Sequence, residues 1–249
     1  MPEGNAAPQV VRILRHGGYE TRAMLRNGEQ LVLAVVLPVM ALFGLVFTDL
    51  IDGVADSRID AAAPGVLALC VMSTAFTGQG IATGFDRRYG VLRFLSTTPL
   101  GRAGLVFGKA IAVVAVLMVQ LVVVGGTALA MGWRPDPAGI PLGLFLLLLG
   151  AAAFTALGLW IAGTVRPEAT LAITNLVWVL LAAAGGILIP GTRLPGAMQS
   201  VVDLLPSAAL GDALRAALIE GRLDGAALVI LLVWALLAGF AATRWFKWN

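Results

Sequence analysis

Six runs of apolar residues, each close to the length a helix needs to cross the hydrocarbon core of a bilayer, constrain this chain more than any other feature. They lie at residues 31–48, 64–84, 104–132, 140–165, 169–189 and 226–243, and none has Asp or Glu in its middle. Backbone polar groups in hydrocarbon must be satisfied within their own segment, so runs of this kind fold as helices. Composition agrees. The chain is 59% hydrophobic and 12% charged, whereas a soluble domain carries about 25% charge. The expected fold is an all-α polytopic membrane protein with six transmembrane helices. The first 30 residues are polar and lack the apolar core of a signal peptide, so the first run is expected to direct insertion itself.

Six spans place both termini on one side, and the basic residues choose that side. With the termini inside, the cytoplasmic segments hold Arg12, Arg15, Arg22, Arg26, Arg87, Arg88, Arg93, Arg102, Lys109, Arg166, Arg244 and Lys247, 12 of the 17 basic residues. The external loops hold Arg58, Arg134, Arg193, Arg215 and Arg222 and most of the acids, including Asp49, Asp52, Asp56, Asp60, Asp203 and Asp212. An N-in, C-in protein follows. The net charge is only +3 and the basic residues sit beside the spans. They read as topology signals, and no nucleic-acid partner is expected. Lys109 lies near one end of its run, where it can snorkel to the interface. The single cysteine, Cys70, excludes an internal disulfide, and the lone His16 is not expected to bind metal.

Residues 1–30 form a cytoplasmic segment ahead of the membrane domain at 31–249. Over residues 8–30, Arg12, Arg15, Arg22 and Arg26 fall within an arc of roughly 80° on a helical wheel, opposite Val10, Ile13, Leu14, Met24 and Leu25. That suits an amphipathic helix in the interface, bent or interrupted at Gly17 and Gly18, or a partly ordered basic tail. Residues 190–225 are too long for a simple external turn. Two Pro-bounded stretches, 196–205 and 207–219, suit short helices that dip into the outer leaflet as a re-entrant segment or lie on it; a plain surface loop is the alternative.

Between the second and third runs, residues 85–96 contain no Pro and one Gly, with Val91, Leu92 and Leu95 as an apolar stripe at helical spacing. Pro99 stops the helix near Thr98. A short helix with such a stripe needs cover, from the membrane surface or from a partner's groove.

Asp86, the Gly90-Val91-Leu92 triplet, Leu95, Thr97-Thr98-Pro99-Leu100, Arg102 and Gly108-Lys109 resemble the segment after the second span of ABC-2 type transporter permeases. Val91 stands where Thr is common in that family and Gly101 where Ser is common. The resemblance extends along the whole chain and is closest to the drug-resistance type of bacterial ABC exporter. It implies that residues 85–96 are a coupling helix that docks on a separate cytoplasmic ATPase, through Asp86, Arg87, Arg88, Tyr89, Gly90, Val91, Leu92, Arg93 and Leu95. It also implies a second permease copy or a related permease as partner, and location in the bacterial inner membrane. ATP and Mg would bind the partner ATPase, with no cofactor on this chain. The alternative for the arginines is that they only hold the loop to anionic lipid.

The remaining motifs bear on the energy source. A phosphate-binding loop ends in Gly-Lys-Ser/Thr; the nearest string, at 104–110, has the wrong spacing and no hydroxyl. The intramembrane polar residues Ser73, Thr74, Thr77, Gln79, Gln120 and Asn175 serve helix packing or a substrate path. Thr74, Thr77, Gln79 and Asn175 are the path candidates. Asp49, Asp52, Asp56 and Asp60 recur at spacings that share a helix face and could hold a cation in a phosphotransferase, but a solvated acidic loop is the simpler reading. The expected function is the permease subunit of an ATP-driven exporter of a hydrophobic or amphipathic substrate, drug, lipid or glycan, and not an enzyme. The alternatives are a non-transporting anchor or sensor and a membrane-embedded phosphotransferase.

Overall fold

The computed structural model of the chain describes residues 7–245, and their side chains except those of Glu29, Gln30, Leu31, Leu33, Ser96, Arg102 and Ala103. Lys247, among the basic residues counted above, lies outside them.

Proline and small polar residues punctuate the chain where apolar runs begin. Helix α1, Gln9–Arg26, starts after Pro8. Helix α2 is Gly28–Val46. Ser57 caps α3, Arg58–Val71, by accepting the Asp60 N–H. A π-helical segment, Met72–Gly78, joins α3 to α4, Gln79–Arg88. Next come α5, Val91–Ser96, and α6, Gly101–Gln120, which continues through a second π segment, Leu121–Gly125, into α7, Gly126–Ala130. Helix α8 is Gly139–Thr164. Helices α9, Pro167–Ala184, and α11, Pro206–Glu220, each have proline in the first turn, where its missing N–H costs nothing. Between them lies α10, Gly196–Val202. Helix α12, Gly225–Trp245, ends the described chain. No strand occurs among the described residues.

Five stretches are long and apolar enough to cross a membrane: Arg58–Arg88, Gly104–Ala130, Gly139–Thr164, Pro167–Ala184 and Gly225–Trp245. The first expected span falls on α2, whose apolar part, Ala34–Val46, is shorter. The stretch 58–88 is the axis of the bundle and is buried along most of its length. Many of its buried positions are small: Ala61, Ala62, Ala63, Gly65 and Ala68. Lipid offers no hydrophobic drive for helices to associate, so close backbone approach through small residues is what holds such an axis to its neighbours α2, α8 and α11. By contrast α9 and α12 expose most of their apolar surface, as helices facing hydrocarbon do.

Four expectations change. Residues 85–96 are not one helix: α4 runs to Arg88, Gly90 takes φ 72°, and α5 starts afresh at Val91. A left-handed residue cannot continue a right-handed helix, and glycine adopts that region without strain. The fifth span ends at Ala184, not at residue 189, because Gly186 at φ 76° turns the chain into an irregular buried stretch. Helix α1 is continuous through Gly17 and Gly18. Gly17 is instead a contact: a Cβ there would collide with Ile111 of α6. Apart from Asp212, helix α11 is buried from Pro206 to Leu218, packed against α3, α8 and α12, with Leu210 and Leu214 fully covered.

Both ends of the bundle now have a character. The end carrying α1, α5 and the start of α6 is the basic end. The end carrying the 49–58 loop and α10 is the far end.

Candidate functional site

A cavity of about 470 Å³ lies among the spans, near the middle of their lengths. Met24 of α1, Asn27 just beyond it, Ala34 and Leu37 of α2 and Val116 of α6 form one wall. Ser73, Thr74, Thr77 and Gly78 of the π segment, Ile81 of α4, and Leu171, Asn175 and Trp178 of α9 form the other. The volume is that of a drug-sized ligand site, and the lining is apolar with a few polar groups. No lining residue is ionisable.

The polar groups are arranged by two backbone irregularities. Pro38 lies inside α2 and has no N–H, so the Ala34 carbonyl loses its helical donor. Gln120 supplies it: the side-chain amide donates to the Ala34 carbonyl at 2.6 Å, and its Oε1 accepts from the Thr74 hydroxyl at 2.9 Å. Gln120 and Thr74 are both buried. Trp178 Nε1 donates to Ser73 Oγ at 3.0 Å, tying α9 to the π segment. The Thr77 hydroxyl is buried with no hydrogen-bond partner and sits on the cavity wall.

Of the four path candidates, Thr74, Thr77 and Asn175 come together on this cavity. Gln79 does not line it; its amide reaches Met24 Sδ at 3.2 Å. Trp178 lines it and was absent from the candidate set, as was Gln120, which holds the lining residues Thr74 and Ala34 from behind. The signal for Gln120 was Pro38, one helical turn beyond a carbonyl that had to find another donor.

At the basic end the chain forms a tip around Gly90. Arg88, Tyr89, Gly90, Val91 and Arg93 are exposed. Leu92 is fully buried and Leu95 is half-buried, so the outward apolar surface is Tyr89, Val91 and Phe94, with Phe85 beside it. Tyr89 and Phe94 are each about 70% exposed and form a small aromatic patch. Phe94 was absent from the candidate set, because the phase of the stripe changes at Gly90. Arg87 turns inward: its Nη1 donates to the Val165 carbonyl at 2.8 Å, at the C-terminal end of α8, where a cation also meets the negative end of the helix dipole.

Asp86 also turns inward, to Lys109. The ammonium is completely buried, so it does not snorkel to the interface. It donates to Asp86 Oδ2 at 2.8 Å and lies 3.4 Å from Glu20 Oε1. A cation taken out of water requires such partners. His16 completes the cluster, with Nε2 3.4 Å from Glu20 Oε1. Gly108 makes room for it, since a Cβ there would collide with the imidazole. Burial pushes the His16 imidazole below its usual range, against the pull of the Glu20 carboxylate in the other direction.

The far end has its own buried cation. Arg215 of α11 donates to the carbonyls of Ile187 at 2.7 Å and Gly186 at 3.3 Å, and to Asp212 Oδ1 at 2.6 Å. Ser207 donates to the Gly185 carbonyl at 2.6 Å. These bonds satisfy the backbone freed where α9 stops. The acidic loop does not assemble into a metal site. Asp49 and Asp52 pair with Arg58, and Asp60 accepts the Arg134 N–H at 2.9 Å. Among the described residues, no group of three or more His, Cys, Asp or Glu side chains is placed to hold a metal ion.

These features belong to a known family. The model of the ABC-2 type transporter family matches residues 18–219. A Bacillus subtilis (strain 168) protein named "Putative transport permease YvfS" is 27% identical over 198 residues, which cover 78% of this chain and 80% of that protein. With four-fifths of the chain inside the family match and a helical bundle rich in membrane-length helices, the chain belongs to the ABC-2 type transporter family and is a multi-pass membrane subunit of a transporter.

Proposed function

We propose that this chain is the permease subunit of an ATP-driven exporter, inserted with both termini and the basic end in the cytoplasm of a bacterial cell. A separate ATPase subunit docks on the tip, and a second copy or a related permease completes the membrane unit. The cargo is hydrophobic or amphipathic, and the polar part it presents to the cavity is uncharged, because the lining offers hydroxyl and amide groups and no counter-ion.

One observation carries this reading. The exposed aromatic tip follows directly on the helix whose middle carries one wall of the cavity. Arg58–Arg88 is one stretch of helix; Ser73, Thr74 and Thr77 sit within it, and Tyr89 follows its last residue. A push on α5 therefore has only the Tyr89–Gly90 turn to cross before it reaches the helix that lines the cavity. The partner chain supplies ATP hydrolysis, and this chain converts the push into access.

The test separates tip from cavity. Phe94→Asp with Tyr89→Ala is expected to abolish co-purification of the ATPase while leaving the thermal midpoint in detergent within about 2 °C, since both side chains are exposed. Retention of the ATPase by that variant would remove the tip from the docking surface. Thr77→Trp fills the cavity and is expected to stop ATP-driven accumulation of amphiphile in inside-out vesicles while the ATPase still binds. An anchor or sensor without a transport role would be indifferent to Thr77→Trp.

A further inference from the structure

We infer that the Lys109–Asp86 ion pair is a clasp that holds the basic-end mouth of the cavity shut, a reading that rests on the cavity's role as the cargo site. The two cavity walls belong to different packing groups. Helix α1 lies along α6 in close contact, through Gly17 against Ile111 and His16 against Gly108. Helix α4 rests on α8 and α9 and, among the described residues, has little packing against α1 or α6. The seam between these groups is where the cavity lies.

The seam is bridged unequally. Deeper in the bundle it is crossed by the Thr74–Gln120 hydrogen bond, and α2 packs on α3. At the basic end, among the described residues, it is crossed by the Lys109–Asp86 pair, the weaker Gln79 to Met24 contact, and α5, which rests on both α4 and α6. Lys109 lies seven residues, about 10 Å, from the cavity-lining Val116 along α6, and Asp86 lies five residues beyond Ile81 along α4. The pair thus sits just outside the cavity, at the position where separation of the walls would be greatest if they pivot about the deeper bridge.

The charges suit a bond that must open. Lys109 has a second carboxylate, Glu20, on its own side of the seam. When Asp86 leaves, the ammonium keeps a partner and is not stranded in a low-dielectric site, and Asp86, whose side chain is about a quarter exposed, moves toward water. Asp86 is also four residues upstream of Gly90, so displacement of the tip pulls on it directly. Asp86 is in this account a positioning residue: it acts on the cavity through the helix and touches no cargo.

The experiment reads access at the cavity wall. Full-length chain with Cys70→Ala and Thr77→Cys, in native membrane vesicles with its partner subunits, is treated with a membrane-permeant maleimide. Asp86→Asn and, separately, Lys109→Met are expected to raise the labelling rate at Thr77→Cys by about tenfold, the scale of one charged hydrogen bond. Asp86→Glu, which keeps the carboxylate, is expected to keep the slow rate. A cysteine at Ala213, buried in α11 at the far end, reports general loosening and is expected not to respond. Unchanged labelling at Thr77→Cys in both variants overturns the clasp, and so does an equal rise at Ala213→Cys. If labelling rises as expected but the parent protein moves no amphiphile with ATP, the clasp stands and the exporter reading falls. If the parent transports and labelling never changes, the reverse holds.

Discussion

Two buried cations mark opposite ends of this molecule and are held in opposite ways. Arg215 at the far end is bound chiefly by backbone carbonyls, at Gly186 and Ile187, and its neighbour in the same helix, Asp212, balances the charge. Lys109 at the basic end is bound by carboxylates on two other helices, Asp86 and Glu20. Carbonyls of a fixed chain do not move without unfolding the segment that carries them, and a guanidinium reads them in a rigid fork. Carboxylates on separate helices part when the helices part, and an ammonium turns to whichever remains. The far-end cation is a structural rivet. The basic-end cation is a joint.

This contrast makes the largest expected effect a loss of stability at the far end. Arg215→Ala leaves at least two buried carbonyls without donors and should cost about 3–5 kcal/mol, read as a large drop in the thermal midpoint in detergent. Arg215→Lys should recover little of it, because a single ammonium does not reproduce the fork. Lys109→Met should cost less, about 1–2 kcal/mol, because Glu20 and Asp86 retain some exposure to water and the apolar chain fills the vacated space. Equal losses at the two sites would break the comparison.

Gln120→Leu should cost about 1 kcal/mol, typical of a hydrogen bond between membrane helices. The same variant should free α2 at Pro38, visible as faster hydrogen exchange near the Ala34 carbonyl's helical turn. The smallest effect is pH-dependent and belongs to the basic end alone. His16 has a lowered pKa when docked against α6, so the undocked helix binds the proton more readily. Docking of α1 is therefore full above about pH 6.5 and weakens as the pH falls below it. Between pH 7.5 and 5.5 the wild type should lose more stability than His16→Gln, in matched thermal scans. A far-end variant such as Arg215→Lys should leave that difference intact.

What the sequence made legible differs at the two ends for the same reason. The spans at 104–132, 140–165 and 226–243 were readable because length and apolarity are local properties; α8 at Gly139–Thr164 lies within a residue of the run at either end. The broken fifth span was not, since Arg215 is 28 residues from the Ile187 carbonyl it binds, and a carbonyl carries no residue identity to search for. In a helix of alanine and leucine that arginine resembles a surface charge. At the basic end, Asp86 and Lys109 were visible as a motif, but their pairing was not. The outward-facing Phe94 was hidden because helical phase cannot be carried across a residue at positive φ. The acidic loop was readable as solvated charge, and Arg58 takes two of its members.

The early end of α9 leaves a helix shorter than a typical membrane is thick. Eighteen residues of helix make about 27 Å, a little less than the roughly 30 Å of a typical hydrocarbon core. The chain just beyond it, at Gly186 and Ile187, is buried inside the bundle, and its carbonyls accept from Arg215. Irregular backbone at membrane depth is tolerated where protein shields it, so through Arg215 the protein makes up the missing length with its own interior.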